Sequence, residues 1–212
     1  MITLIHGDCM DFMKGVPDKA YSLAIVDPPY GINVNFNMGL HKGQKKRHKS
    51  KKWDNNLPPP IYFTELQRIS NNQIIWGGNY FELPANKHFI FWNKLHPEGM
   101  SFSDGEYAWT SFNKANRMVT IRSSWDGKIH PTEKPVQLYK WLLKNYAKAG
   151  DKILDTHLGS MSSVIACIDG GFDMTGIELD EGYFKASVQR VNNHVAQLDM
   201  YQERPEIIIR EL

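Results

Sequence analysis

The sequence predicts an α/β fold around a mostly parallel sheet, because short apolar runs alternate with helical patterns along its 212 residues. The runs at residues 22–26 and 152–154 have the length and composition of buried strands. Residues 135–148 instead carry apolar side chains at helical spacing behind a proline in the first turn. Strands that are separated by helices pair in parallel, so polar residues that follow the strands should gather at one edge of the sheet.

The individual elements follow from the same two periodicities, taken in order along the chain. We expect strands at residues 2–6, 22–26, 73–76, 88–92, 152–154 and 173–177. Further strands or an edge hairpin are expected at 107–110 and 118–122. Helices are expected at residues 10–14, 61–70, 135–148, 162–169 and 181–198.

The composition indicates one globular domain spanning residues 1–212, large enough for a substantial core. Hydrophobic residues make up 42% of the chain, yet no apolar run is long enough for a membrane span, and the N-terminus lacks the pattern of a signal peptide. Cys9 and Cys167 lack the spacing of metal ligands. We therefore expect reduced cysteines, no bound metal, no membrane contact and a cytoplasmic location.

Residues 31–60 form a long polar stretch without periodicity, which predicts a loop that carries a concentrated basic cluster. The formal net charge is only +2, but seven basic residues lie between positions 42 and 52 with no acidic residue among them. Such a cluster is either a solvated segment or an arm that contacts nucleic-acid phosphates, and its place in the sequence favours the arm.

Asp27, Pro28, Pro29 and Tyr30 directly follow the strand predicted at residues 22–26. The two prolines end the ladder of hydrogen bonds and stiffen the turn. The Asp27 carboxylate and the Pro28 carbonyl can accept the two N–H bonds of an exocyclic amine, while Tyr30 can stack on the planar base that carries it. An ordinary turn is the alternative, since Asp-Pro also opens many turns.

A second candidate site lies in the loop of small and polar residues at 155–163, between a predicted strand and a predicted helix. Small residues there let backbone N–H groups and the helix N-terminus approach an anionic group. Glu178 ends the next strand, about 20 residues downstream of the loop, where nucleotide-binding sheets place the carboxylate that binds ribose hydroxyls. A loop, a strand and a terminal acid in this order indicate a nucleotide-like cofactor.

With two further motifs, the chain resembles the β class of S-adenosylmethionine-dependent DNA amino-methyltransferases, in which the catalytic half precedes the cofactor half. Gly7-Asp8-Cys9 resembles the motif at the cofactor's adenine, and His130-Pro131-Thr132-Glu133-Lys134-Pro135 resembles the motif at its methionine end. The resemblance implies a circularly permuted, Rossmann-like methyltransferase fold with a seven-stranded sheet and helices on both faces. The cofactor site that it implies comprises Asp8, Cys9, Asp27, His130, Thr132, Lys134, Asp155, His157, Gly159, Ser160, Ser162, Ser163, Glu178, Leu179 and Asp180.

The same resemblance implies methyl transfer from S-adenosylmethionine to adenine N6 in DNA, with the target base flipped out of the duplex. The catalytic residues would then be Asp27, Pro28, Pro29 and Tyr30. Aspartate rather than serine at the first motif position favours adenine over cytosine. The alternatives are transfer to cytosine N4, to RNA or to a protein glutamine, and a non-catalytic nucleic-acid-binding relative.

Two departures from the family pattern stand out. Met161 replaces a later glycine of the cofactor loop, and Thr156 and His157 replace proline and phenylalanine. Met161 either adopts a strained positive φ that weakens cofactor binding or lies in the first helical turn, the interpretation that we favour.

The second departure is the absence of room for a target-recognition domain, since only residues 123–129 separate the last predicted strand from His130. We therefore expect a minimal, phage-like or mobile-element-like member, in which a second protomer of a homodimer could supply DNA contacts.

Overall fold

The computed structural model describes residues 1–32, 57–96, 103–123, 132–197 and 205–212, which form one nine-stranded sheet and five α-helices. The strands are β1 (Ile2–His6), β2 (Tyr21–Val26), β3 (Ser70–Trp76), β4 (Phe89–Asn93), β5 (Gly105–Thr110), β6 (Arg117–Thr120), β7 (Lys152–Asp155), β8 (Asp173–Glu178) and β9 (Ile207–Glu211). The helices are α1 (Cys9–Lys14), α2 (Pro60–Ile69), α3 (Val136–Tyr146), α4 (Ser162–Gly170) and α5 (Glu181–Ala196). The predicted basic cluster and His130 lie outside the described residues.

The order of the strands reverses between β2 and β7. The sheet runs β6-β4-β5-β3-β2-β7-β8-β1-β9, and every neighbouring pair is parallel except those of β5 with β3 and β4. From β2 the chain continues outward to β3, whereas from β7 it continues to β8 on the opposite side. The carboxyl ends of β2 and β7 therefore flank the point where the strand order reverses, and open α/β sheets bind ligands there.

Helices cover both faces of the sheet, as predicted. On β2, Leu23 and Ile25 join the core beneath α3, α4 and α5, whereas Ala24 and Val26 join the core beneath α1 and α2. A slip of one residue would put the smaller Ala24 and Val26 in the places of Leu23 and Ile25, so the packing of the two faces favours the observed register, with Asp27 at the end of β2. None of the described helices is both long and apolar enough to cross a membrane.

The predicted fold class is confirmed, but the number of strands needs correction, since the described residues form nine rather than seven. The two edge strands are β6, which pairs with β4, and β9, which pairs with β1. The three consecutive isoleucines of β9 lack the alternation that marks a half-buried strand, so the sequence did not predict it. The edge hairpin is also absent from the described residues, because β5 inserts between β3 and β4 and β6 pairs in parallel with β4.

Candidate active site

The candidate catalytic corner, formed by Asp27 and Tyr30, lies at the carboxyl end of β2. Asp27 follows Val26, and its Oδ1 accepts a hydrogen bond from the Tyr30 hydroxyl at 2.5 Å. The Lys134 ammonium lies 2.5 Å from Asp27 Oδ2 and 3.3 Å from the Tyr30 hydroxyl. A carboxylate offers about four lone-pair sites, so Asp27 can accept a further hydrogen bond from a substrate.

Burial and charge act in opposite directions at this corner. Burial raises the pKa of Asp27, and the neighbouring Lys134 ammonium opposes that shift. Burial alone would lower the pKa of Lys134, but the carboxylates of Asp27 and Glu106 outweigh it and raise the pKa above its ordinary value. Lys134 is therefore a charged ammonium whose side chain is only 3% exposed. The sequence predicted Lys134 at the cofactor, and in the structure its ammonium contacts the Asp27 carboxylate.

The ring of Tyr30 is fixed by a glycine and by a second tyrosine. Gly77 adopts a positive φ of 69°, and a Cβ built there would lie 2.2 Å from Tyr30 Cε1. Tyr80 stacks on the Tyr30 ring, with centroids 5.0 Å apart and an interplanar angle of 17°. Phe81 meets the same ring edge-on at 6.1 Å. The stacking surface predicted for a target base is thus in contact with Tyr80, a residue that sequence reasoning missed although it closely follows the Gly77-Gly78 turn.

The loop between β7 and α4 is built around a buried acid. Asp155 ends β7 with only 1% of its surface exposed, and it accepts hydrogen bonds from Ser163 Oγ at 2.7 Å and the His157 backbone N–H at 3.0 Å. Burial raises the pKa of Asp155 to about 7, against these two donors. Burial also lowers the pKa of His157 to about 4, so its imidazole is neutral at physiological pH. The His157 Nδ1 lies 2.9 Å from Thr156 Oγ1.

Glu178 connects the loop between β7 and α4 to the end of β8. Its Oε2 accepts a hydrogen bond from the Gly159 backbone N–H and its Oε1 from that of Asp180, each at 2.8 Å. Leu179, between the two acids, is 68% exposed. Because β1 pairs in parallel with β8, His6 lies opposite Glu178, and Asp8 follows at the same edge. Asp8 caps α1 through the Met10 N–H at 2.7 Å.

Cys9 begins α1 and is half-buried. Burial and the negative charge of Asp8 raise the pKa of its thiol to about 12, so Cys9 is a neutral thiol at physiological pH. It forms no disulfide, and Cys167, in α4, is also a free thiol. Cys9 thus lies at the predicted adenine end of the cofactor site as a small, uncharged side chain.

Met161 requires a correction. We favoured a position inside the first helical turn, but Met161 precedes α4 as its N-cap with φ 59° and ψ 30°. This left-handed conformation costs a residue with a Cβ about 1–2 kcal/mol. The side chain is fully buried in the core, and that burial offsets the strain. The sequence showed the missing glycine, but the backbone angle depends on the packing of the whole loop.

Arg190 joins three parts of the site, and sequence reasoning did not identify it. Its Nη1 donates to the Ser160 carbonyl at 2.6 Å and to Ser162 Oγ at 3.0 Å. Its Nη2 pairs with Glu133 Oε1 at 3.0 Å, and the Glu133 side chain is 1% exposed. The guanidinium on α5 therefore holds the loop between β7 and α4 against the Thr132–Lys134 segment. Ser160 and Ser162 are buried beside it.

Comparisons with known proteins show the family of this chain. A family model described as "DNA methylase" matches residues 75–189. The DNA adenine methyltransferase YhdJ of Escherichia coli K12 is 23% identical, over 90% of this chain and 82% of that protein.

Solved structures of methyltransferases share the fold. M1.HpyAVI in complex with S-adenosylmethionine aligns with a TM-score of 0.60 at 21% identity, over 90% of this chain and all of that one. The cytosine-N4-specific PvuII DNA methyltransferase aligns with a TM-score of 0.61 at 14% identity, over 96% of this chain and 88% of that one. At these identities the two alignments show the fold alone. The matched family model covers more than half of the sequence, and the chain belongs to the N6-adenine and N4-cytosine DNA methyltransferases, whose methyl donor is S-adenosylmethionine.

Proposed function

We propose that this chain methylates adenine at N6 in DNA, acting on a base flipped out of the duplex. The observation that carries the proposal is the Asp27 carboxylate, held at the end of β2 next to the cofactor edge of β7. Adenine rather than cytosine is favoured by aspartate at this position and by the name of the Escherichia coli relative. The cytosine-N4 specificity of the PvuII enzyme makes N4 the alternative to test.

The acids at the strand ends fit S-adenosylmethionine. When bound, this cofactor supplies a methyl group activated by a positively charged sulfonium. Among the described residues Asp155 forms no ion pair, so a cationic ligand nearby would stabilise its carboxylate. Glu178 accepts one backbone hydrogen bond at each oxygen and retains acceptor capacity for ribose hydroxyls. The exposed Leu179 offers an apolar contact to the cofactor's adenine.

At the catalytic corner, Asp27 acts as a hydrogen-bond acceptor for the target amine. The amine lone pair is delocalised into the base, and acceptance of an N–H by Asp27 and by the Pro28 carbonyl favours its localisation on nitrogen. Positive charge then grows on that nitrogen, where a prepositioned carboxylate stabilises it. Because burial raises the pKa of Asp27, its carboxylate can also hold the proton that the methylated amine must lose.

The test is the identity of the modified base. The purified chain is incubated with radiolabelled S-adenosylmethionine and DNA of mixed sequence. The methylated nucleosides of the DNA are then identified by mass spectrometry. We expect label in N6-methyladenine. Label only in N4-methylcytosine would overturn the adenine assignment. Faster transfer to RNA than to DNA would overturn the assignment of DNA as the substrate. Saturable cofactor binding by calorimetry without any transfer would favour the non-catalytic alternative.

We further propose that residues 1–212 are one methyltransferase domain in which the basic stretch at 31–60 contacts DNA phosphates. Replacement of Lys45, Lys46 and Lys49 by glutamine should weaken binding to all sequences and reduce the salt dependence of the affinity. Light scattering with and without DNA tests whether a second protomer takes part. A monomer in both conditions would exclude the homodimer.

A further inference from the structure

Four charged side chains form a continuous chain from the catalytic corner to β4. The Lys134 ammonium lies between Asp27 Oδ2 at 2.5 Å and Glu106 Oε2 at 3.0 Å. The other oxygen of Glu106 lies 2.5 Å from the Lys94 ammonium. Two acids thus alternate with two bases, and their formal charges cancel. Glu106 lies on β5 and Lys94 directly follows β4, so neither belongs to a motif that the sequence singled out.

Stability alone is a weak explanation for this cluster. Removing charges from water costs several kcal/mol for each ion, and buried ion pairs are often replaceable by apolar side chains without loss of stability. The side chains of Lys94 and Glu106 are only 15% and 23% exposed. What the two residues have in common is a connection to Lys134. Lys94 pairs with Glu106, Glu106 pairs with Lys134, and Lys134 contacts the carboxylate of Asp27.

We propose that Glu106 is a positioning residue, whose carboxylate holds the Lys134 ammonium against the catalytic Asp27 while Lys94 holds Glu106 in turn. The inference rests on the proposed function, in which Asp27 accepts the target amine. A lysine ammonium has three N–H donors. Among the residues that the structure describes, the Lys134 ammonium contacts the carboxylates of Asp27 and Glu106 and the Tyr30 hydroxyl.

Loss of the Glu106 carboxylate would remove the ion pair that holds the ammonium on this side. The ammonium could then turn towards the faces of nearby aromatic rings, such as that of Trp76, whose centroid lies 5.3 Å from Lys134 Nζ. Such a turn would move the hydrogen bond on Asp27 and therefore reorient the carboxylate. We expect a defect in the chemical step rather than in cofactor binding.

Electrostatics leads to the same expectation. Burial would raise the pKa of Glu106, but Lys134 and Lys94 outweigh it and hold this pKa at about 2, so Glu106 is ionised at physiological pH. The Tyr139 hydroxyl of α3 faces the same acids, and burial raises its pKa well above the ordinary value, so it stays neutral. Neutralisation of Glu106 would leave a net positive charge where the amine nitrogen becomes positive. It would also lower the pKa of Lys134, because one of the two carboxylates that raise it is removed.

The variant that tests the proposal is Glu106→Gln, which keeps the shape and removes the charge. We expect kcat to fall about 10- to 100-fold. The KM values for cofactor and DNA should stay within about twofold, because no ground-state contact is lost. The alkaline limb of the pH profile should move to lower pH, and Glu106→Asp should recover part of kcat.

The matched control is Glu65→Gln, because Glu65 pairs with Arg68 on α2 and its side chain is similarly shielded, at 19% exposure. Its kcat and pH profile should equal those of the wild type. A Glu106→Gln variant with wild-type kcat and pH profile would overturn the proposal. A loss of melting temperature and cofactor affinity with an unchanged pH profile would make Glu106 merely structural, and would equally overturn it.

A second measurement separates this inference from the proposed function. The rate at which acetic anhydride acetylates Lys134 is followed by peptide mass spectrometry across alkaline pH. Glu106→Gln should acetylate several-fold faster and at lower pH than the wild type and Glu65→Gln. Equal rates would overturn the inference. If the wild type transfers no methyl group, the proposed function fails, while the acetylation rates still decide whether Glu106 holds Lys134.

Discussion

The contact between Gly77 and Tyr30 gives a prediction with an internal control. Gly77→Ala and Gly150→Ala both place a Cβ on a residue of positive φ, 69° and 85° respectively. Each should lose about 1–2 kcal/mol of stability from backbone strain. Only at position 77 does the new Cβ meet an obstacle, the Tyr30 ring at 2.2 Å, whereas nothing lies within 4 Å at position 150. Overpacking adds about 1–3 kcal/mol to Gly77→Ala.

Two assays separate the strain from the displacement of the ring. For a chain of this size each kcal/mol lowers the melting temperature by about 2–4 °C, so Gly150→Ala should melt a few degrees below the wild type and Gly77→Ala lower still. Because Tyr30 is hydrogen-bonded to Asp27, a shift of about 1 Å can cost about 10²-fold in kcat. We expect that loss in Gly77→Ala alone. A kcat within about threefold of that of Gly150→Ala would refute the reasoning.

Three other predictions concern the loop and the stacking surface. Met161→Gly relieves about 1–2 kcal/mol of backbone strain but removes a buried side chain that contributes about 2–5 kcal/mol. Urea denaturation should therefore show a lower free energy of unfolding for the variant. A higher free energy of unfolding would show that strain dominates. Tyr80→Ala uncovers the Tyr30 ring, on which the target base is proposed to stack. The base would no longer compete with Tyr80 for this ring, so the KM for DNA should fall several-fold. A higher KM would instead place Tyr80 in the base pocket. Arg190→Met breaks the ion pair with Glu133 and should lower the free energy of unfolding by up to about 3–5 kcal/mol. Calorimetry should also show weaker cofactor binding. An unchanged cofactor affinity would exclude Arg190 as the anchor of the loop between β7 and α4.

The sequence predicted the acids of the site because their positions depend on local patterns. Asp27, Asp155 and Glu178 each end an apolar strand, and the general rule for parallel sheets brings such strand ends together. The order of the strands confirmed that they share one edge. The boundaries of the main helices also followed from apolar periodicity, since that pattern needs no information about distant residues.

The contacts that hold those acids were not predictable in the same way. Glu106 and Lys94 lie on β5 and at the end of β4, and Arg190 lies on α5, each far in sequence from its partner. A single charged residue in a strand or helix carries no sign of whether it is solvated or paired. Met161 differs in kind, because its backbone angle follows from the packing of a buried side chain at the start of α4.

The central claim is that Asp27 accepts the target amine, and methyl transfer by Asp27→Ala tests it most directly. Single-turnover transfer from labelled S-adenosylmethionine to DNA is measured for the variant and the wild type, with cofactor affinities from calorimetry. We predict a loss of at least about 10²–10³-fold in the rate of transfer, with the cofactor dissociation constant within about threefold. A near-wild-type rate, or a loss of cofactor affinity that accounts for the whole defect, would contradict the account.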